Sequence, residues 1–209
     1  MRKSSHGYRA MNASTPAPQT ALPFDPRSSA LVLVDLQNAL AGLQLAPHPF
    51  AEVVARSAQL ARALRHLGGT IVFVRVDIND RPDRLTDEAP RLPKGHPFPA
   101  SASEIVAEAG FQPGDLLVTK RSWGAFHHTE LDAKLRARGI QTLLMGGVAT
   151  NIGVESTARS AMDLGYELIL VHDAMSTGSA EEHAFALQHI FPRMGRVRST
   201  EQLLAALAP

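Results

Sequence analysis

The chain has 209 residues, of which 44% are hydrophobic, and its 21 basic and 20 acidic residues leave a formal net charge of +1. This length suits one domain with a full hydrophobic core. The balanced charge gives no reason to expect nucleic acid or an anionic membrane as a partner. Cysteine is absent, which excludes disulfides, thiolate metal sites and a cysteine nucleophile.

The first 27 residues are rich in Pro, Ser and Thr and have no hydrophobic periodicity, which predicts a disordered leader. No apolar run has the length of a membrane span, and no apolar signal-peptide region follows the basic N-terminus. We therefore expect a cytoplasmic protein whose folded domain covers residues 28–209.

Short apolar runs alternate with amphipathic segments from Ser28 onward. The runs predict strands at 30–35, 70–76, 115–119, 141–146 and 166–171, with an edge strand at 196–198. Helical spacing predicts helices at 50–67, 129–138 (capped by Thr129), 151–164, 181–190 and 201–208. The proline-rich stretch 77–114 predicts a long excursion with one short helix near 103–109, and loops of this length are usually functional.

This alternation predicts an α/β fold, with a mostly parallel sheet, helices on both faces and right-handed crossovers. In such sheets ligands bind outside the carboxyl ends of the strands. The candidate functional residues are therefore those at the ends of the predicted strands: Asp35, Asp77, Lys120, the turn 146–153 and Asp173.

Asp35 and Lys120 each have an ordinary interpretation, as a turn residue and as an exposed strand terminus. If the two side chains adjoin, each stabilises the charged form of the other. Such a pair can orient a substrate or exchange a proton with it. Asp173 is expected to cap the turn that follows it rather than to react.

The turn 146–153 joins the fourth strand to a helix and contains three glycines. Glycines permit tight turns, and a helix N-terminus directs free N–H groups at a developing oxyanion. A plain strand-to-helix turn capped by Thr150 or Asn151 explains the same residues.

Trp123 and Phe126 follow Lys120 closely and either wall a substrate pocket or pack beneath the loop. His127 and His128 do not predict a metal site, because adjacent side chains point in different directions and no third ligand has suitable spacing.

Four motifs in order carry a family resemblance: LVLVDLQ at 31–37, Lys120 with WGAF at 123–126, GVATNIGVESTA at 147–158, and Asp173 with Ala174. Together they resemble the isochorismatase-like hydrolases of the cysteine hydrolase superfamily, over nearly everything from residue 28 onward. The resemblance implies a Rossmann-like, three-layer α/β/α sandwich with about six strands. In that family an Asp, a Lys and a Cys form the catalytic triad. Asp35 and Lys120 match the first two, and Gly153 stands at the cysteine position.

The resemblance also implies features of the site. The Val148–Ala149 peptide is expected to be cis, with the amides of Ala149 and Gly153 forming an oxyanion hole. The implied substrate-binding residues are Gln37, Trp123, Phe126, Val148, Ala149 and Asn151. No metal or other cofactor is implied, since 77–83 lacks the Asp and two His of the nicotinamidase motif. The implied partners are a small-molecule substrate and further copies of the chain, in a dimer or tetramer.

Glycine at 153 excludes the thioester route. True isochorismatases, which the chain resembles in having this glycine, hydrolyse a vinyl ether with an acid, and Asp35 would then protonate the enol carbon. Their bulky aromatic residue and histidine are replaced by Ala149 and Asn151, which argues against isochorismate itself. Arg81 or Arg84 would be the basic group for an acidic substrate.

We therefore expect a hydrolase that uses Asp35 and Lys120 as its acid–base pair. An alternative is a non-catalytic binding protein in which the same residues hold a small anion. A third possibility is a hydroxyl nucleophile, Ser156 or Thr150, although neither occupies the family position.

Overall fold

A computed structural model of the chain describes residues 24–82, 84–88, 92 and 97–208. Its strands are β1 Ser29–Val34, β2 Thr70–Val76, β3 Leu116–Lys120, β4 Thr142–Val148, β5 Glu167–Ser176 and β6 Arg196–Arg198. Its α-helices are α1 Phe50–His66, α2 Leu131–Arg136, α3 Glu155–Asp163, α4 Ala180–Phe185 and α5 Thr200–Leu207. A π-helical turn, Thr150–Val154, leads into α3, and another, Ala186–Ile190, continues α4.

The six strands form one sheet in the order β3-β2-β1-β4-β5-β6, and every neighbouring pair is parallel. This arrangement confirms the predicted α/β fold. The chain order reverses between β1 and β4, so the connections that follow these strands lead to opposite faces of the sheet. A crevice opens at such a switch point, outside the carboxyl ends of the strands.

Helices cover both faces of the sheet, which makes the three layers. One face packs against α1 and α5 through a cluster that includes Leu31, Leu33, Val53, Leu60 and Leu203. The other face packs against α2, α3 and the end of the α4 segment through Val32, Val34, Leu135, Ala158 and Phe191. All six residues of β1 are buried, which explains its unbroken apolar run.

The fifth strand is longer than predicted, because β5 continues to Ser176. The polar pair His172 and Asp173 hides this continuation from a hydrophobicity pattern. Asp173 therefore lies within a strand. Its Oδ1 accepts from the backbone N–H and the hydroxyl of Thr200, at 2.7 and 2.9 Å. It caps the first turn of α5, so the prediction that it caps its own turn was wrong.

Other boundaries moved by a few residues. Lys120 is the last residue of β3 rather than the residue after it. The excursion contains 3₁₀ turns at Ala100–Ser103 and Ala107–Ala109 in place of the predicted helix near 103–109. α2 begins at Leu131, whose amide donates to the Thr129 hydroxyl at 3.3 Å.

The leader predicted over residues 1–27 falls outside the described residues except for 24–27, which lead through a 3₁₀ turn, Pro26–Ser28, into β1. Within the described part of the chain, the helices are too short or too polar to cross a membrane.

Candidate active site

Asp35 and Lys120 form a buried ion pair at the carboxyl edge of the sheet. Lys120 Nζ donates to Asp35 Oδ2 at 2.8 Å. The two residues are only 8% and 3% exposed. Salt screens a pair at such depth far less than a surface pair.

The parallel register explains how these two residues meet. Lys120 lies level with Val76 on β2, and Val34, which precedes Asp35, lies level with Val74. Because one strand lies between β3 and β1, their backbones are about 10 Å apart. The Lys120 side chain crosses this distance past the end of β2, and the Asp35 side chain meets it. Lys120 is two residues past Val118, so it shares the face covered by α2 and α3.

The Asp35 carboxyl is only partly satisfied. Its Oδ1 is buried and has no hydrogen-bond partner among the described residues. Burial raises the pKa of this carboxyl above its ordinary value, and the Lys120 ammonium opposes that rise. The residue has a left-handed backbone, with φ of 52°, a conformation that non-glycine residues adopt rarely and often at functional sites.

Gly153 borders this carboxyl. A Cβ built on it would lie 3.5 Å from Asp35 Oδ2 and 3.0 Å from Val34 Cγ1. The Gly153 carbonyl accepts from the Thr157 hydroxyl at 2.6 Å, and that hydroxyl accepts the Ala125 amide at 3.1 Å. The turn is thereby tied to the segment that follows β3.

The start of this turn requires glycine at position 147. Gly147 has φ of 114°, and a Cβ there would lie 2.1 Å from the Val34 carbonyl oxygen. The peptide bond between Val148 and Ala149 is cis. The Ala149 carbonyl accepts the amides of Ile152 and Val154, both at 3.1 Å. The turn is thus closed by its own hydrogen bonds, and Gly147 lets it approach Val34 at the end of β1, next to Asp35.

Gln37 is completely buried, and its amide is engaged with backbone. Oε1 accepts the Val76 N–H at 2.9 Å, and Nε2 donates to the carbonyls of Val76 and Ser103 at 2.8 and 3.2 Å. This side chain fastens the excursion to the end of β2. These contacts give Gln37 a positioning role, and its contact with a substrate stays a prediction.

The aromatic residues after β3 separate. Phe126 stacks on Tyr166, with ring centroids 5.9 Å apart, and packs against the buried core. Because Tyr166 precedes β5, this contact lies toward the opposite edge of the sheet, which favours packing beneath the loop, and a contact of Phe126 with substrate stays a prediction. Trp123 is 66% exposed.

Asn151 lies within the turn and is half-buried. Its Oδ1 accepts from the Thr177 hydroxyl at 2.6 Å. Thr177 is itself paired in both directions with the backbone of Ala46, at 2.8 and 3.1 Å. The segment before α1 is thus connected to the turn. Val148 is buried at the end of β4, and Ala149 packs partly buried against the α1 side.

Sequence reasoning missed one polar pair near the site. Thr150 Oγ1 and His183 Nδ1 lie 2.9 Å apart, both buried. The sequence carries no signal for this contact, because Thr150 and His183 lie 33 residues apart and only the packing of α4 against the turn brings them together. His127 and His128 have ring centroids 4.0 Å apart, and within the described ranges no group of three or more His, Asp or Glu is placed to hold a metal ion.

Residues 29–202 match the family model described as the isochorismatase domain. The chain belongs to the isochorismatase family. It is 46% identical to the uncharacterized isochorismatase family protein YwoC of Bacillus subtilis, over 88% of this chain and 96% of that one. It is 31% identical to the ureidoacrylate amidohydrolase RutB of Variovorax paradoxus, over 93% and 89% of the two chains. A solved isochorismatase family protein from Burkholderia thailandensis superposes with a TM-score of 0.81 at 41% identity, covering 88% of this chain and 97% of that one.

Among the isochorismatase family relatives, RutB is a hydrolase by name. The present chain, in contrast to a cysteine hydrolase, contains no cysteine anywhere in its sequence. Any hydrolysis at its site therefore proceeds without a thiol.

Proposed function

We propose that the protein hydrolyses a small molecule without a cysteine nucleophile, with Asp35 as the general acid–base and Lys120 as the group that orients it. The observation that carries this proposal is the buried Asp35 carboxyl, with one oxygen bound to Lys120 and the other without a partner among the described residues.

The chemistry follows from the two carboxyl oxygens. Lys120 holds Oδ2 at 2.8 Å, so Oδ1 is the oxygen that carries the exchangeable proton. Because burial raises the pKa of Asp35, more of this carboxyl is protonated near neutral pH than an exposed one, as a general acid requires. The acid gives its proton to the leaving group or to an enol carbon, and the carboxylate recovers one from the attacking water.

The glycine-containing turn supplies hydrogen-bond donors for the negative charge that develops on the substrate. In the proposal, the amides of Ala149 and Gly153 stabilise the oxygen that becomes negative, as preorganised donors do in acyl transfer. Support comes from the position of Gly153 beside Asp35 Oδ2. A substrate held between the turn and the carboxyl would meet an acid on one side and N–H donors on the other.

A non-catalytic binding protein is the second candidate. The absence of cysteine favours this candidate. Without a thiol the site has no cysteine nucleophile, while the lysine and the turn amides can still bind an anion. In this case Asp35 only fixes the position of Lys120.

A screen of amides, ureas and vinyl ethers tests the proposal, with Asp35→Asn measured on any substrate found. We expect the variant to lower kcat/KM by about 100-fold or more, as loss of a general acid does. The matched control Asp163→Asn changes an exposed carboxylate at the end of α3 and is expected to leave kcat/KM unchanged. Unchanged kinetics in Asp35→Asn would end the proposal, and calorimetric binding without turnover would favour the binding protein.

The small-molecule partner, the homo-oligomer and the cytoplasmic location stay predictions. Sedimentation velocity measures the assembly directly, and a monomer at micromolar concentration would contradict the expected dimer or tetramer.

A further inference from the structure

Thr150 and His183 form a second buried polar pair, on the flank of the turn that faces α4. Thr150 Oγ1 lies 2.9 Å from His183 Nδ1, and the two residues are 0% and 4% exposed. Neither residue contributes a hydrogen bond or ion pair to Asp35 or Lys120. The pair therefore lies outside the acid–base machinery proposed above.

The segment before α1 covers this pair. The ring of His48 meets the ring of His183 edge-on, with centroids 5.9 Å apart. His48 is itself held, because its backbone N–H donates to Ser176 Oγ at 3.2 Å and its Nδ1 lies 3.2 Å from Arg56 Nη1. These contacts hold the His48 ring beside His183.

A hydroxyl beside an imidazole is also the arrangement of a nucleophile and its base, but two observations oppose that role here. Thr150 is 0% exposed, and its hydroxyl contacts His183 rather than Asp35 or Lys120. Burial is the largest cause that lowers the pKa of His183 to about 4, and the neighbouring His48 and His172 lower it further. This imidazole is therefore a weak base. Thr150 is thus a poor candidate for the hydroxyl nucleophile left open by the sequence.

We propose that Thr150 and His183 are positioning residues that hold the turn 149–153 against Asp35. The inference rests on the proposed function in so far as the turn matters for catalysis. Thr157 fastens the end of the turn through the Gly153 carbonyl. Thr150 fastens its beginning to α4, and since the bond is buried, loss of either partner leaves the other without a hydrogen bond.

The test compares variants that remove the bond with variants that keep it. Thr150→Val and His183→Leu remove it, whereas Thr150→Ser keeps the hydroxyl and His183→Asn keeps an acceptor near the position of Nδ1. Thermal unfolding verifies that each variant is folded, and Thr150→Ala and His183→Met replace any bond-removing variant that is not.

The decisive readout is the pKa of Asp35, measured from the pH dependence of the carbon-13 chemical shift of its carboxyl. A loosened turn admits water to Asp35, so the pKa that burial raises falls toward its ordinary value. A purely structural loss elsewhere leaves this pKa unchanged, because neither Thr150 nor His183 bonds to Asp35. We also expect amide exchange in the turn to accelerate by about tenfold, which corresponds to the loss of one buried hydrogen bond.

The expected result is a lowered Asp35 pKa and faster exchange in Thr150→Val and His183→Leu, near-native values in Thr150→Ser and His183→Asn, and no further effect in the double variant. An unchanged pKa and unchanged exchange in the bond-removing variants would overturn the inference, and so would additive effects in the double variant. The proposed function fails separately, through unchanged kinetics in Asp35→Asn, and its failure leaves these readouts intact.

Discussion

Replacing Lys120 by Met tests the energetics of the buried pair. At an effective dielectric constant of about 20, charges 2.8 Å apart attract by about 6 kcal/mol. Removing each ion from water opposes this by several kcal/mol, so the intact pair contributes little net stability. Loss of Lys120 alone leaves the buried carboxylate uncompensated, and we expect the free energy of unfolding to fall by about 3–5 kcal/mol at pH 8.

The pH dependence of that loss has a definite sign. Burial raises the pKa of Asp35 above its ordinary value of 3.8, and without the Lys120 ammonium it rises further. A folded-state pKa above the unfolded one means that stability falls as pH rises from the unfolded pKa through the folded one. Relative to the native protein, Lys120→Met is therefore least affected at low pH, where Asp35 is protonated, and most affected at pH 8.

Urea unfolding at pH 5 and pH 8 measures this difference. The control Lys134→Met removes a half-exposed lysine paired with Glu130 at 3.0 Å, and we expect a change of at most about 0.5 kcal/mol, independent of pH. The double variant Asp35→Asn/Lys120→Met carries no buried charge and is expected to recover most of the stability. A loss in Lys120→Met that is equal at both pH values, or no loss at pH 8, would refute the reasoning.

Three further substitutions test the site. Gly147→Ala places a Cβ 2.1 Å from the Val34 carbonyl oxygen at φ of 114°, so we expect a loss of more than about 4 kcal/mol or no soluble folded protein. Gly153→Cys introduces the only thiol of the chain at a buried position beside Asp35. Native protein is expected to react with iodoacetamide much more slowly than urea-unfolded protein, and equal labelling rates by mass spectrometry would contradict this placement. Gln37→Leu removes the three hydrogen bonds of a buried side chain, and we expect a loss of about 2–4 kcal/mol in urea unfolding. An unchanged midpoint would argue against its positioning role.

The fold was predictable because the buried strands have a simple signature. β1 and β4 are buried along their whole length, and such strands appear as continuous apolar runs. The end of β5 was not predictable in the same way. His172 and Asp173 are polar but occupy the strand, since Asp173 is satisfied by Thr200 of a distant helix. A pattern along the chain contains no information on that partner.

The site, like the fold, has parts that the sequence predicts and parts that depend on distant partners. Asp35 and Lys120 were predictable because the carboxyl ends of parallel strands meet at one edge. The contacts that Gln37 and Phe126 make were not predictable, because a motif position does not say which way a side chain points. Gln37 turns to the backbone of Val76, and Phe126 turns to Tyr166. Both contacts depend on residues that lie far away in the sequence.

Folding alone does not explain the Asp35–Lys120 pair. Apolar replacement of a buried ion pair is often neutral or stabilising, by about 1–4 kcal/mol. Asp35 moreover keeps a buried Oδ1 without a hydrogen-bond partner among the described residues and a left-handed backbone, and both features oppose stability. An unsatisfied buried oxygen in a native fold calls for an explanation beyond packing. Under the proposed function, a substrate that shares a proton with Oδ1 provides that explanation, and because Gly153 offers no nucleophile, proton transfer by Asp35 is the chemistry proposed for the site.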